Sequence, residues 1–118
     1  MKKIIFLLAF ISSNAFAETD ADILEKYIFI NTIEFAQCSA VIDYILSAKI
    51  NLKIIPTPCN NANLTNKKYI QPFITKMQNS EKYLSQMMME SPTLQRNLDR
   101  LNEQSSLSRE RFRMLISQ

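Results

Sequence analysis

The stretch from Asp22 to Ala48, DILEKYIFINTIEFAQCSAVIDYILSA, contains neither proline nor glycine and is apolar at most of its positions. Leu24, Ile28, Phe35, Cys38, Ile42 and Ile45 recur at helical spacing and fall on one side of an α-helix. Ile23, Tyr27, Ile30 and Val41 widen that stripe. A helix this apolar must be covered by other elements. The remainder of the chain is therefore expected to pack around it. Membrane insertion is the competing fate, but Asn31, Glu34, Gln37 and Asp43 interrupt the run. Charge at mid-membrane costs roughly 3 kcal/mol per residue or more, so a helix buried in protein is expected, with no integral span after leader removal.

The chain has no glycine, where average usage near 7% would give roughly eight in a chain of this length. Phosphate-cradling loops, dinucleotide fingerprints and nucleophile elbows are thereby excluded. Two-residue hairpins lose the residue their positive φ angles favour. Histidine is also absent, which removes the usual general base and the commonest metal ligand. The expected fold class is all-α, a small antiparallel bundle of three to four helices with one disulfide. The expected function is not enzymatic, with no cofactor, no metal site and no catalytic residues. Glu34 and Asp43, nine positions apart, lie on opposite sides of their helix and cannot form a carboxylate pair unaided.

The N-terminus sets the expected address. Lys2 and Lys3 precede the apolar run Ile4 to Ile11, which is too short to span a bilayer. SSNAFA follows, with Ala15 and Ala17 at the small-residue positions of a cleavage site. Residues 1–17 read as a cleaved secretory signal peptide and 18–118 as a single helical domain. The periplasm is the expected location, with secretion as the alternative. The formal net charge is +3, and loss of Lys2 and Lys3 leaves twelve basic against eleven acidic residues. That near balance gives no reason to expect nucleic acid as a partner.

Cys38 and Cys59 are the only cysteines. In an exported chain the simplest reading is one disulfide, closing a loop of about 20 residues and worth roughly 3 kcal/mol.

Further along, Asn51 to Asn66 reads as a loop, with Pro56 and Pro58 stopping the first helix and the asparagines favouring turns. Asp20 or Asp22 is the expected cap of the first helix, which runs to about Ile50 either whole or with a bend near Asn31 and Thr32. A second helix is expected over roughly Asn66 to Met89, with Thr65 as its cap and Pro72 as a kink or first turn. Its apolar face would be Ile70, Phe73, Ile74, Met77, Leu84, Met87 and Met88. A third is expected to start at Ser91-Pro92, serine as cap, and to carry Leu94, Leu98, Leu101, Phe112 and Leu115 inward. QSSLS, 104–108, is weakly helical and a candidate break.

Two clusters are candidates for a partner surface. Met87, Met88 and Met89 are consecutive, so a helix cannot turn all three into one core. Methionine is also common at adaptable binding surfaces. Arg109, Arg111 and Arg113 form a basic C-terminal group. The function expected from all this is binding of another periplasmic or secreted protein, as an inhibitor, an immunity-type protein or an envelope-assembly component. A periplasmic chaperone or stress protein is the first alternative and a Cu(I)-handling protein, using the methionine thioethers, the second. The surplus of apolar residues also points to a homodimer.

Overall fold

The computed structural model describes residues 18–51 and 54–117. The signal-peptide reading, residues 1–17, lies outside them. The described residues form an all-α bundle with one disulfide. Helix α1 is Asp20–Ser47. Helix α2 covers 57–79, made of α-helical Thr57–Thr65, a π-helical turn Asn66–Ile70 and α-helical Gln71–Asn79. Helix α3 is Glu81–Glu90 and helix α4 is Leu94–Ile116.

Helix α1 is unbroken over 28 residues and continues as one helix through Asn31 and Thr32. Its cap is Thr19, not an aspartate. The Thr19 hydroxyl accepts from Asp22 N–H at 3.1 Å, and the Asp22 carboxylate accepts from Thr19 N–H at 3.4 Å. This is a reciprocal capping box. The other end must be closed without glycine. Ile50 N–H donates to Ile45 C=O and Lys49 N–H to Leu46 C=O, a Schellman motif that needs a left-handed residue between. Lys49 takes that place at φ 54°, at a cost of roughly 1 kcal/mol relative to glycine.

All six residues expected on the inward face of α1 are buried, joined by Ala21, Asn31 and Ser39. Ile23, Tyr27 and Val41 are half-buried, whereas Ile30 is exposed. Helix α1 is the centre of the bundle, with α2 running back along it antiparallel and α4 parallel to it. The N-terminal half of α1 packs through Leu24 and Ile28 in a cluster with Ala62, Ile70, Met87, Leu94 and Leu98. The C-terminal half packs through Ile42 and Ile45 with Cys59 and Leu115.

The segment 57–66 is helix rather than loop. Pro56 precedes the first turn and Pro58 lies within it, where a missing N–H costs nothing. The two prolines expected to stop α1 instead start α2, α1 having already closed at Lys49. Thr65 is consequently mid-helix, and its hydroxyl donates to Glu34 Oε2 at 3.0 Å instead of capping. Pro72 cannot donate to the carbonyl four residues back. The π-turn before it absorbs that, with Gln71 N–H reaching back five residues to Asn66 C=O.

Asn31 locks this region to α1. Fully buried, it donates to Ala62 C=O at 2.8 Å and to Glu34 Oε1 at 3.3 Å, and accepts from Asn66 Nδ2 at 2.9 Å.

The second expected helix breaks at Ser80, whose hydroxyl accepts from Tyr83 N–H and caps α3. The break turns Leu84 outward, so it leaves the expected apolar face. Ser91 does not cap α4. Its hydroxyl donates to Glu25 instead, and the helix begins three residues later. QSSLS stays helical within α4.

Tyr83 ties α3 to the start of α1, its hydroxyl donating to Asp20 Oδ2 at 2.7 Å, with Lys76 Nζ 4.2 Å from its ring centroid. Burial pushes its hydroxyl up to about 12, and the hydrogen bond to Asp20 and the charges of Asp20 and Glu90 push the same way. A phenol held above its unfolded value stabilises the fold fully below about pH 10 and loses that contribution as pH rises towards 12. In a phenolate absorbance titration, one of the four tyrosines is expected to ionise late. Asp20→Asn should bring it down towards the others. A curve unchanged by Asp20→Asn would remove this account.

Candidate functional site

A helix with an apolar stripe on one side normally shows water a polar face. Helix α1 does not. On the side away from the core, Phe29, Ile33, Ala36, Ala40 and Tyr44 follow one another at steps of four, three, four and four, a second helical row. At 100° per residue the row lies about half a turn from the buried stripe. Phe29 is 68%, Tyr44 69% and Ile33 44% exposed, and Ile30 beside them is also exposed. Lys26 and Asp43 bound the row, and between them Gln37 is its one polar member. Glu34 falls in the same segment but is drawn aside by its bonds to Asn31 and Thr65. The result is a continuous apolar strip of a kind that marks interaction sites.

A groove of 260 Å³ runs beside the strip between α1 and α4, lined by Glu25, Ile28, Phe29, Ile33, Asn97 and Arg100 among others. Glu25 is fixed in its wall. Ser91 Oγ and Thr93 Oγ1 donate to Glu25 Oε1 at 2.8 and 3.2 Å, and Asn97 Nδ2 donates to Oε2 at 2.6 Å. With both oxygens occupied, this carboxylate holds the turn before α4 against α1. Phe29 and Ile33 belong to both groove and strip, so the two form one surface.

The bridge expected from sequence is formed between Cys38 and Cys59. A disulfide of this kind suits an oxidising compartment. The methionines separate. Met87 is completely buried among Leu94 and Leu98, Met88 is half-buried, and Met89 is 83% exposed. Met87 therefore belongs to the core, and the surface role expected of the trio falls to Met89. Their thioethers are turned to different surroundings, as consecutive positions on α3 require.

Arg111 parts from Arg109 and Arg113, because a step of two residues turns a helix by 200° whereas a step of four turns it by only 40°. Arg111 Nε lies 2.8 Å from Asp43 Oδ1, close in charge but off the line of a hydrogen bond. At the surface such a pair is worth about 0.2–1 kcal/mol. Arg109 rests on Ser105 Oγ at 3.4 Å, and Arg113 is exposed in the last turn. Neither trio lies wholly on one face, although Arg109 and Arg113, both exposed, share one.

No group of three or more histidine, cysteine, aspartate or glutamate side chains among the described residues is placed to hold a metal ion. By length and composition α1 is also a helix that can cross a membrane. One of its faces is covered by α2 and α4, and the other is bare among the described residues.

The outer row of α1 has the same helical spacing as the inner one. Two apolar rows on opposite sides of one helix cancel as a pattern, so spacing alone does not set one apart from the other. What distinguishes them is which row α2 and α4 cover, and no local spacing encodes that. No protein-family model matches the chain, and comparison with curated proteins and with solved structures gives no match.

Proposed function

We propose that this is an exported, non-enzymatic helical protein of the bacterial periplasm that acts by binding another protein through the outer face of α1. The observation that carries the reading is the bare strip of Phe29, Ile33, Ala36, Ala40 and Tyr44 on the helix at the centre of the bundle. Water-exposed apolar surface of this continuity gains from being covered, by roughly 25 cal/mol for each Å² buried. The strip is also pre-organised. The Cys38–Cys59 bridge, the Asn31 network and the Glu25 bonds hold α1 from behind, so little order has to be gained on binding. A partner of matching chemistry is a protein offering one apolar helix face.

The same strip gives the chaperone reading its support, since unfolded clients also seek exposed apolar surface. The two differ in stoichiometry. Tagged mature protein isolated gently from its native periplasm is expected to retain one protein in stoichiometric amount, a second copy of this chain included. Ile33→Asp, a charge in mid-strip, is expected to lose it. Many sub-stoichiometric proteins, also lost on Ile33→Asp, would favour the chaperone. Equal retention by wild type and Ile33→Asp would show that the strip is not the docking face.

A further inference from the structure

We infer that the partner covering this strip is a second copy of the same chain, with the two α1 helices paired antiparallel about a two-fold axis between Ala36 and Gln37. The inference rests on the reading of the strip as a protein-docking face and names its occupant.

Antiparallel pairing about that axis sets Phe29 against Tyr44 of the second copy, and Ile33 against Ala40 of the second copy. The large residues in one half of the strip thus meet the small alanine or the far aromatic in the other. Ala36 at the centre is small enough for the helices to approach, and the unbranched Gln37 beside it can extend along the seam. The contact is isologous, each half used twice, as closed dimers require. Tyr44 of the second copy arrives at the mouth of the 260 Å³ groove, where Phe29 and Ile33 flank it. Its ring meets apolar walls, and its hydroxyl meets the polar end formed by Glu25, Asn97 and Arg100.

Charge selects the direction. The start of α1 carries exposed Glu18, Asp20 and Asp22, and its end carries exposed Lys49. Antiparallel pairing brings the acidic start of one copy to the Lys49 end of the other, and opposes the helix dipoles favourably. Parallel pairing would instead stack Asp22 on Asp22 and Lys26 on Lys26 along the seam, where like charges repel.

Size sets the strength. A helix of 28 residues at 1.5 Å per residue is about 40 Å long, and a strip about 12 Å wide covers about 500 Å² on each copy. The total of about 1,000 Å² is at the lower limit of specific interfaces. The dimer is therefore one that dissociates on dilution through the micromolar range.

The test uses the mature protein, in which no free cysteine was found among the described residues. Sedimentation equilibrium from about 1 to 300 µM is expected to show twice the chain mass at the top of the range. Ile33→Asp should give one chain mass throughout, with the helical circular dichroism of wild type. Ala36→Cys, beside the axis, should form a reducible cross-linked dimer in air. Ser47→Cys should not, because antiparallel copies hold residue 47 about 30 Å apart.

A single-chain mass at every concentration overturns the proposal, as does a dimer that survives Ile33→Asp. Ready cross-linking through Ser47→Cys assigns a parallel pair and overturns it too. A monomer that still binds a different protein through Ile33 removes the second copy and leaves the docking face standing. A monomer that instead sediments with anionic lipid vesicles gives the strip to a membrane surface and removes both.

Discussion

Removal of the Cys38–Cys59 bridge is expected to lower the melting temperature by roughly 10–20 °C. The two cysteines are 21 residues apart in sequence. Cross-linking a loop of that length takes about 3 kcal/mol of conformational freedom from the unfolded chain. A domain of this size has about 5–15 kcal/mol in all, and each kcal/mol moves its melting point by about 4–8 °C. Location adds to the loop term. The bridge is the centre of the second core cluster, with Ile42, Ile45 and Leu115 around it and Phe112 half-buried at its side. It is also where the first turn of α2 is fixed to α1, and α2 contributes few other buried side chains near that end. Cys38→Ala with Cys59→Ala is the cleaner variant, because serine would place two hydroxyls in an apolar cluster. Thermal unfolding followed by circular dichroism, with and without a thiol reductant, checks it. A shift under about 4 °C in both experiments would mean that packing, not the bridge, holds α2 on α1.

What the residues disclosed and what they hid divides along a physical line. The inward face of α1 was legible because burial repeats with the helix period: Leu24, Ile28, Phe35, Cys38, Ile42 and Ile45 are all buried. The bridge was legible because two cysteines leave one pairing. Boundaries were less so, because one residue type serves two purposes. Pro56 and Pro58 open a helix with the same fixed φ that forbids one running into them, so a proline pair reads equally as loop or as helix start, while α1 has already closed at Lys49. Ser91 has the look of a cap, yet a carboxylate on another helix, Glu25, competes for its hydroxyl and wins. QSSLS is a poor helix former, but Leu101, Ser108 and Leu115 around it are buried, and packing outweighs a few tenths of a kcal/mol of propensity. The outer strip was hidden for the opposite reason. Its residues look like core, and only the placement of α2 and α4 shows that nothing in the described chain covers them.

Asn31→Ala is expected to cost about 3 kcal/mol, close to the loss of the disulfide, although it removes no apolar surface of note. Asn31 is the buried polar side chain at the centre of the α1–α2 contact. Its amide makes three bonds, and its loss strands each partner differently. The Ala62 carbonyl keeps its helical bond from Asn66 N–H and loses only a second donor. Glu34 keeps Thr65, whereas Asn66 keeps Gln71 at Oδ1 but its Nδ2 loses its acceptor. Each of the three lost bonds is worth about 0.5–1.5 kcal/mol, and the void left by the shortened side chain adds to them. Asn31→Leu separates the two contributions, since it fills the space and restores no hydrogen bond. Urea unfolding of both variants is expected to show both destabilised, alanine more than leucine. Full recovery in Asn31→Leu would mean that the site needs volume rather than hydrogen bonds. Asn31 and the bridge also hold the same pair of helices, so their losses should not add. Once the bridge is gone, α2 peels from α1 more easily and Asn31 has less native contact to protect. The triple variant is expected to fall short of the sum by at least 0.5 kcal/mol, and strict additivity would mean that the two pins act on separate parts of the fold.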